Sequence, residues 1–227
     1  MTTPPSTDEW LTDFKARHSL DMPLGADERL ISERAQKAAE YAAEHVPARF
    51  EHALPTVPEV QAWAAEVIRS AVTQSQARGQ QIATVQRGPS LLLLGPTGVG
   101  KTHETYGAMR VIGLFGLHAR WLVISAADLY ARLRPRHQVD AEAEFAAVVN
   151  APLLAVDDLA AAKNSEWVEE VNTRLVNRRY EAARPTLFTS NALPKQLRAE
   201  MGERVASRLV EMCQQVSIKG EDRRRAT

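Results

Sequence analysis

One stretch of the sequence carries the residue types of a phosphate-binding loop. Four consecutive leucines lead into Gly-Pro-Thr-Gly-Val-Gly-Lys-Thr, which fits the pattern G-x-x-x-x-G-K-[ST]. Glycines let the backbone curl tightly and turn its N–H groups toward an anion, and the helix that follows adds the positive end of its dipole. The pattern therefore predicts a nucleotide site rather than a glycine-rich turn with a chance lysine, with Lys101 on the β- and γ-phosphates and the Thr102 hydroxyl on Mg²⁺. The residues assigned to this site are Gly95, Pro96, Thr97, Gly98, Val99, Gly100, Lys101, Thr102 and His103.

A second apolar run ends in two acids. Residues 152–156 have the composition of a buried strand, and Asp157 and Asp158 follow it directly. Beside a phosphate loop, one carboxylate holds the metal, usually through water, and a second orients or activates the attacking water. We assign Asp157 to Mg²⁺ and Asp158 to the water. An aspartate that caps a helix at a strand–helix turn is the alternative, and the phosphate loop upstream favours the functional interpretation.

A third apolar run, residues 185–189, ends in Ser190 and Asn191. An amide at this position could hold the attacking water near the γ-phosphate of a nucleotide. Asparagine is also an ordinary turn residue, because its side chain hydrogen-bonds its own backbone. The residues alone therefore leave both interpretations of Asn191 open.

Two arginines lie one turn apart on the same face of a later helix, Arg204 and Arg208. A guanidinium that contacts the γ-phosphate, from the same or a neighbouring subunit, often completes a nucleotide-hydrolysing site. Without further context, a solvated basic helix face paired with Glu200 or Glu203 is the better interpretation of these two arginines.

The elements that must position these groups alternate along the chain from residue 91 onward. Apolar runs predict strands at 91–94, 120–125, 152–156, 185–189 and 216–218. Helical patterns separate them at about 101–115, 126–133, 140–149, 165–183 and 195–212. Alternation of strands with helices is typical of a parallel sheet with crossover helices, so we expect an α/β fold.

The chain before residue 80 shows helical patterns and no predicted strand. Helical spacing predicts helices at about 27–46 and 58–79, and Pro58 suits a first helical position. The apolar residues of the first 26 positions fit a short helix and an unstructured tail equally well. Residues 80–90 form a polar linker, so we divide the chain into a helical N-terminal region, 1–80, and a nucleotide-binding core, 81–227.

Composition restricts the class of protein. The 227 residues hold 28 Lys and Arg against 28 Asp and Glu, which argues against a protein that mainly coats nucleic acid but permits a local basic patch. Cys213 is the only cysteine, so neither an internal disulfide nor a cysteine zinc site is possible. With no apolar run of membrane-spanning length and no signal pattern at the N-terminus, we expect a cytoplasmic protein without a membrane partner.

Four motifs in order, over roughly residues 88–225, resemble those of the AAA+ ATPases of the DnaC/DnaI helicase-loader group, which also contains the IstB transposition helper. They are the phosphate loop through His103, the Leu-Leu-Ala-Val-Asp-Asp-Leu strand, the Phe-Thr-Ser-Asn strand end and the Gly-Glu-Arg-Val-Ala-Ser-Arg-Leu helix. As an ordered set they are much more specific than the phosphate loop alone. The resemblance implies a core of five parallel strands between helices, without a separate lid domain.

The same resemblance implies roles for individual residues. Asn191 matches the sensor I residue, and Arg208 matches the arginine finger, which acts on ATP bound by the next subunit. Arg224 lies where loaders carry a sensor II-like arginine, with the neighbouring Arg223 as an alternative. Many AAA+ proteins carry Asp-Glu where this chain has Asp-Asp, as the loader group often does. Because Asp158 is one methylene shorter than glutamate, we expect slow or partner-stimulated ATP hydrolysis.

The function implied is ATP-dependent loading of a replicative hexameric helicase onto single-stranded DNA. The N-terminal region would bind the helicase, subunits would associate through the Arg208 face, and ATP with Mg²⁺ would switch the assembly. Basic residues facing the assembly axis would contact DNA, and the candidates are Arg132, Arg134, Arg136 and Lys163.

An IstB-like transposition helper that binds duplex DNA is the alternative, and the motifs do not separate it from a loader. A small-molecule kinase fits less well, because the sequence shows neither an acceptor pocket nor a basic lid. A nucleotide-dependent scaffold that does not hydrolyse ATP is a further possibility if Asp158 is too short to activate water.

Overall fold

The computed structural model describes residues 6–20, 28–134, 140–159, 165–192, 196–220 and 222. Backbone contacts group the chain into two compact units, one of Met1–Val85 with His103–Ala119 and one of Gln86–Thr102 with Arg120–Thr227. The first is here called the helical unit and the second the sheet unit. The division of the chain at residue 80 stays a prediction. Within the described residues, no helix has the length and apolar character needed to cross a membrane.

The helical unit is built around two apolar helices. Its elements are α1 (Thr7–Arg17), α2 (Glu28–His45), a 3₁₀ turn (Ala48–Phe50), α3 (Pro58–Ala77) and most of α4 (Lys101–Leu114). The predicted apolar face of α3 is buried, with Val60, Trp63, Ala64, Val67, Ile68 and Ala71 at most 2% exposed. From α4 and the residue after it, the buried apolar side chains are Ala108, Met109, Val111, Ile112 and Phe115. Burial of these apolar faces, rather than helix propensity, stabilises such helices.

A buried carboxylate in the first turn of α4 caps the start of α3. Glu104 is 0% exposed and accepts hydrogen bonds from the Thr56 N–H at 2.8 Å, the Val57 N–H at 3.1 Å and the Thr56 hydroxyl at 2.5 Å. Burial raises the pKa of Glu104, but the His103 imidazole and these hydrogen bonds outweigh that effect, so the pKa lies below its usual value. Glu104 therefore supplies acceptors for N–H groups that the α3 N-terminus leaves unpaired.

The sheet unit confirms the predicted core. Its strands are β1 (Ser90–Leu94), β2 (Trp121–Ser125), β3 (Leu153–Asp157), β4 (Thr186–Ser190) and β5 (Cys213–Ser217). All neighbouring strands pair in parallel, in the order β2-β3-β4-β1-β5. The helices of this unit are α5 (Ala126–Leu133), α6 (Ala141–Val149), α7 (Glu166–Glu181), α8 (Leu197–Met201) and α9 (Glu203–Met212).

Two boundaries differ from the prediction. The helix expected at 195–212 is two helices, because Gly202 between them has φ +84°, a left-handed conformation that ends a helix. A side chain at this position would also meet Glu169, whose Oε1 lies 2.3 Å from the position a Cβ would occupy. The last strand begins at Cys213 rather than at 216, and its pattern of burial is that of an edge strand.

Strand order brings the functional chain segments together. Strand β4 lies between β3 and β1, and the three run in parallel. Their carboxyl ends therefore meet at one edge of the sheet, where ligands of such sheets bind. The phosphate loop follows β1, the two aspartates end β3, and Asn191 follows β4.

A buried cation fixes the opposite edge of the sheet. Arg179 of α7 is 0% exposed, and its described partners are all neutral oxygens. Its guanidinium donates to the Val149 carbonyl at 3.0 Å, the Pro185 carbonyl at 2.7 Å and the Thr186 Oγ1 at 2.8 Å. Burial, with a smaller contribution from Arg184, lowers the pKa of Arg179 to about 9, which leaves the group charged at neutral pH. Arg179 thus ties α7 to the segments that precede β3 and β4.

We expect Arg179→Ala to lower the free energy of unfolding by about 3 kcal/mol, because it leaves several buried carbonyls without a donor and opens a cavity. Urea denaturation of the purified variant measures this change. Arg178→Ala is the matched control: Arg178 is the preceding residue on α7 and is exposed, so we expect a change within about 0.5 kcal/mol. Equal losses in both variants would show that the buried hydrogen bonds of Arg179 are not the cause.

Candidate nucleotide site

The phosphate loop has the backbone conformation that its glycines allow. Gly98 has φ +88° and Gly100 has φ +103°. The Asp222 carboxylate lies against the loop, since a Cβ placed on Gly98 would be 1.9 Å from Asp222 Oδ1. The positive φ at position 98 favours glycine over any residue with a side chain.

Lys101 is held at the mouth of the loop. Lys101 is only 7% exposed. Its Nζ donates to the Gly95 carbonyl at 2.7 Å and to the Pro96 carbonyl at 3.0 Å. A third hydrogen bond, 2.6 Å long, runs from Nζ to Asn191 Oδ1. The ammonium group therefore joins the loop after β1 to the end of β4.

Thr102 and Asp157 form a pair of adjacent oxygen ligands. The Thr102 hydroxyl donates to Asp157 Oδ2 at 2.9 Å. A hydroxyl and a carboxylate are the hard oxygen donors that Mg²⁺ prefers, and Mg²⁺ in nucleotide sites takes few protein ligands because the phosphates and water supply the rest. The two side chains fit a Mg²⁺ ion that is shared with a bound nucleotide.

Asp158 has a positive backbone φ and a raised pKa. Its φ is +58°, in the left-handed region that aspartate enters rarely. Its Oδ1 accepts a 2.5 Å hydrogen bond from Asn191 Nδ2. Burial first, and then the neighbouring Asp157, raise the pKa of Asp158, while Lys101 and Asn191 act in the opposite direction. The Asp158 carboxylate is consequently more basic than an exposed aspartate, which suits a group that accepts a proton or orients water.

Thr189, for which the sequence patterns predict no role, contacts both aspartates. Its hydroxyl donates to Asp157 Oδ1 at 2.6 Å and accepts from the Asp158 N–H at 2.8 Å. Its carbonyl accepts from the Leu159 N–H at 2.8 Å. The sequence feature that could have identified Thr189 is its place near the end of a buried strand, two residues before Asn191.

Arg208 has its own partners on the surface of the sheet unit. Its guanidinium lies 4.7 Å from the centre of the Tyr180 ring, and Nη1 donates to Glu211 Oε2 at 2.7 Å. The Tyr180 hydroxyl donates to the other carboxylate oxygen of Glu211. The side chain of Arg208 remains 44% exposed. Neither Tyr180 nor Glu211 was identified from the sequence, and Glu203, a suggested partner, lies 3.5 Å from Arg198 instead.

The structure thus brings together five of the assigned side chains, namely Lys101, Thr102, Asp157, Asp158 and Asn191. His103 belongs to the helical unit, where its Nδ1 lies 3.8 Å from Glu104 Oε1. Among the DNA-contact candidates, Arg132 and Arg134 are exposed. Four assigned or candidate residues lie outside the described part of the chain: Arg136, Lys163, Arg223 and Arg224.

Sequence comparisons point to one family. The model of the IstB-like ATP binding protein family matches residues 51–227. The replicative helicase loader DnaC of Escherichia coli strain K12 is 24% identical over 123 residues, which are 53% of this chain and 49% of that protein. DnaC of Shigella flexneri gives the same figures. The chain therefore spans about half the length of the curated relatives it matches.

Solved structures share the fold. The crystal structure of the DnaC helicase loader covers 76% of this chain and 100% of its own, with 24% identity and a TM-score of 0.57. The crystal structure of DnaI covers 78% and 100%, with 20% identity and a TM-score of 0.53. AMPPCP-bound DnaA from Aquifex aeolicus covers 74% and 50%, with 21% identity and a TM-score of 0.54. These likenesses concern the fold alone.

The comparisons confirm the resemblance that the four motifs indicated, and they agree with the phosphate loop and strand ends of the sheet unit. The chain belongs to the IstB-like ATP-binding family and has the AAA+ fold of DnaC, DnaI and DnaA.

Proposed function

We propose that this protein hydrolyses ATP with Mg²⁺ and loads a replicative DNA helicase onto single-stranded DNA. The observation that carries the ATPase part is the continuous hydrogen-bonded chain from Lys101 through Asn191 to Asp158 at the carboxyl edge of the sheet. Similarity to DnaC, which is a replicative helicase loader, supports the loading part.

The proposed chemistry uses the groups at the strand ends. Thr102 and Asp157 would hold Mg²⁺, which would supply positive charge beside the phosphate oxygens of the nucleotide. Lys101 would exchange its hydrogen bond to the Asn191 oxygen for one to the γ-phosphate. Asn191 and Asp158 would then hydrogen-bond the attacking water. As the water oxygen bonds to the γ-phosphorus, the bond from that phosphorus to the bridging oxygen breaks, ADP leaves with the electron pair, and the proton of the water passes to the Asp158 carboxylate.

Arg208 would complete the site of a neighbouring subunit. It is half exposed, and its ion pair with Glu211 is a surface pair, so little is lost when the guanidinium moves to a phosphate. ATP would then stabilise the assembly, because one subunit binds the nucleotide and the next contributes Arg208. In this proposal the N-terminal helices bind the helicase, and Arg132 and Arg134 contact single-stranded DNA.

We expect single-stranded DNA to stimulate both ATP hydrolysis and assembly of the purified protein, because a loader couples DNA binding to its nucleotide state. Phosphate release and light scattering, with and without single-stranded or duplex DNA, measure the two effects. A hexameric replicative helicase is then added as the partner.

Stimulation by duplex DNA alone would overturn the loader proposal and favour the transposition helper. ATP binding without hydrolysis under any condition, helicase included, would overturn the ATPase and leave a nucleotide-dependent scaffold.

A further inference from the structure

We propose that Thr189 is a positioning residue that sets the geometry of the two aspartates for nucleotide hydrolysis. This inference rests on the proposed ATPase function and adds a residue to its site. Thr189 is 0% exposed at the end of β4, between the strand that precedes the phosphate loop and the strand that carries the acids. No motif assigned it a role.

The hydroxyl of Thr189 bonds both acids. A threonine hydroxyl has one hydrogen to donate, and Thr189 donates it to Asp157 Oδ1 at 2.6 Å. As an acceptor, the same oxygen receives the Asp158 N–H at 2.8 Å. Thr189 therefore holds one oxygen of the Asp157 carboxylate, Oδ1, by a hydrogen bond. The other oxygen, Oδ2, accepts from the Thr102 hydroxyl at 2.9 Å.

The contact to the Asp158 N–H maintains a backbone conformation that aspartate does not prefer. Asp158 has φ +58°, and the ladder pairing of β3 with β4 ends at Val156 and Phe188. Beyond that pair, Thr189 supplies the contacts, with its hydroxyl on Asp158 and its carbonyl on the Leu159 N–H at 2.8 Å. In this conformation the Asp158 carboxylate meets Asn191. Thr189 thus acts on the reaction through Asp157 and Asp158 and not by touching the nucleotide.

The same strand offers a matched control. Thr186 lies at the start of β4, is also 0% exposed, and also uses its hydroxyl twice, as acceptor from Arg179 Nε at 2.8 Å and as donor to the Arg184 carbonyl at 3.0 Å. Thr186→Val removes the same hydroxyl from the same strand and leaves both aspartates untouched. A general loss of stability would affect both variants, whereas a positioning role belongs to Thr189 alone.

The experiment compares Thr189→Val, Thr189→Ser and Thr186→Val with the wild-type chain. Amide hydrogen exchange at Asp158 in the nucleotide-free protein reads the hydrogen bond directly, and steady-state hydrolysis gives kcat and KM. We expect Thr189→Val to speed exchange at Asp158 and to lower kcat by about 10- to 100-fold with a nearly unchanged KM for ATP, as for outer residues that orient a metal ligand. Thr189→Ser should restore most of both properties, and Thr186→Val should change only the thermal midpoint.

Three results would overturn the proposal: wild-type exchange and kcat in Thr189→Val, equal loss of kcat in Thr189→Val and Thr186→Val, or a Thr189→Ser variant as defective as the valine variant. Failure of the proposed function is a separate outcome. In that case the wild-type protein hydrolyses no ATP, while exchange at Asp158 still decides whether Thr189 holds the aspartate backbone.

Discussion

Lys101→Ala is expected to weaken ATP binding by about 3 kcal/mol or more, which corresponds to a Kd at least about 100-fold higher. The Lys101 ammonium is nearly buried and donates to the loop carbonyl of Gly95 and to Asn191, so its loss removes a positive charge at the phosphate loop itself. Calorimetric titration with ATP measures the change.

The matched control is Lys37→Ala, which removes an exposed lysine from α2 and should leave the affinity unchanged. Because Lys101 also holds two loop carbonyls, Lys101→Met is included to keep the apolar stem while the charge is removed. If a folded Lys101→Met variant bound ATP with wild-type affinity, the assignment of the phosphate loop would be wrong.

Arg208→Ala is expected to leave ATP binding nearly intact and to lower hydrolysis by the assembled protein by about 10³-fold, the effect of an arginine finger on kcat. The reason is that Arg208 is half exposed and would act on the nucleotide of the next subunit. Phosphate release under the conditions that favour assembly measures the loss. Arg204→Ala is the matched control, since Arg204 is an exposed arginine one turn earlier on α9.

Mixing two inactive variants tests the action between subunits. Arg208→Ala subunits keep the phosphate loop, and Lys101→Ala subunits keep the arginine. A mixture should therefore recover part of the hydrolysis that each variant lacks alone. A mixture that assembles and stays inactive would contradict a finger that acts between subunits.

The sheet and its functional edge could be predicted because their signals are local. Buried parallel strands read as apolar runs, and the polar groups follow directly after them, as in the leucines before Gly95 and the strand before Asp157. The parallel order then places these groups at one edge without any knowledge of the packing. For this reason the sequence predicts Lys101, Asp157 and Asn191 just after strands of one sheet, whereas the role of Asn191 is implied only by the family resemblance.

The residues that hold the site in position were not predictable in this way. Thr189 contacts Asp157 from the neighbouring strand, and Tyr180 of α7 contacts Glu211 of α9. The residues of each pair are far apart in the sequence, so no sequence spacing predicts either contact. The positive φ of Asp158 occurs together with such a contact, and aspartate alone does not predict it because most aspartates have negative φ. These features depend on packing, which a local pattern does not contain.

The boundaries that were wrong have the same origin. A glycine inside a helical pattern costs only about 1 kcal/mol relative to alanine, so Gly202 did not by itself predict the break between α8 and α9. Strand β5 lies at the edge of the sheet with Gln214 and Gln215 exposed. Because these residues are polar, the first half of the strand lacks the apolar run that predicts a strand.

Helix α4 has a consequence for how this protein can be taken apart. Its first residue, Lys101, belongs to the phosphate loop, while Glu104 caps α3 and Tyr106 stacks on Phe50 at 5.2 Å. A protein shortened to residues 81–227 would keep α4 but lose the residues before 81 that it contacts, among them Phe50, Thr56 and Val57. Weak ATP binding by such a fragment would then indicate that α4 has lost its helical structure. It would not show that a partner-binding surface is needed for ATP binding.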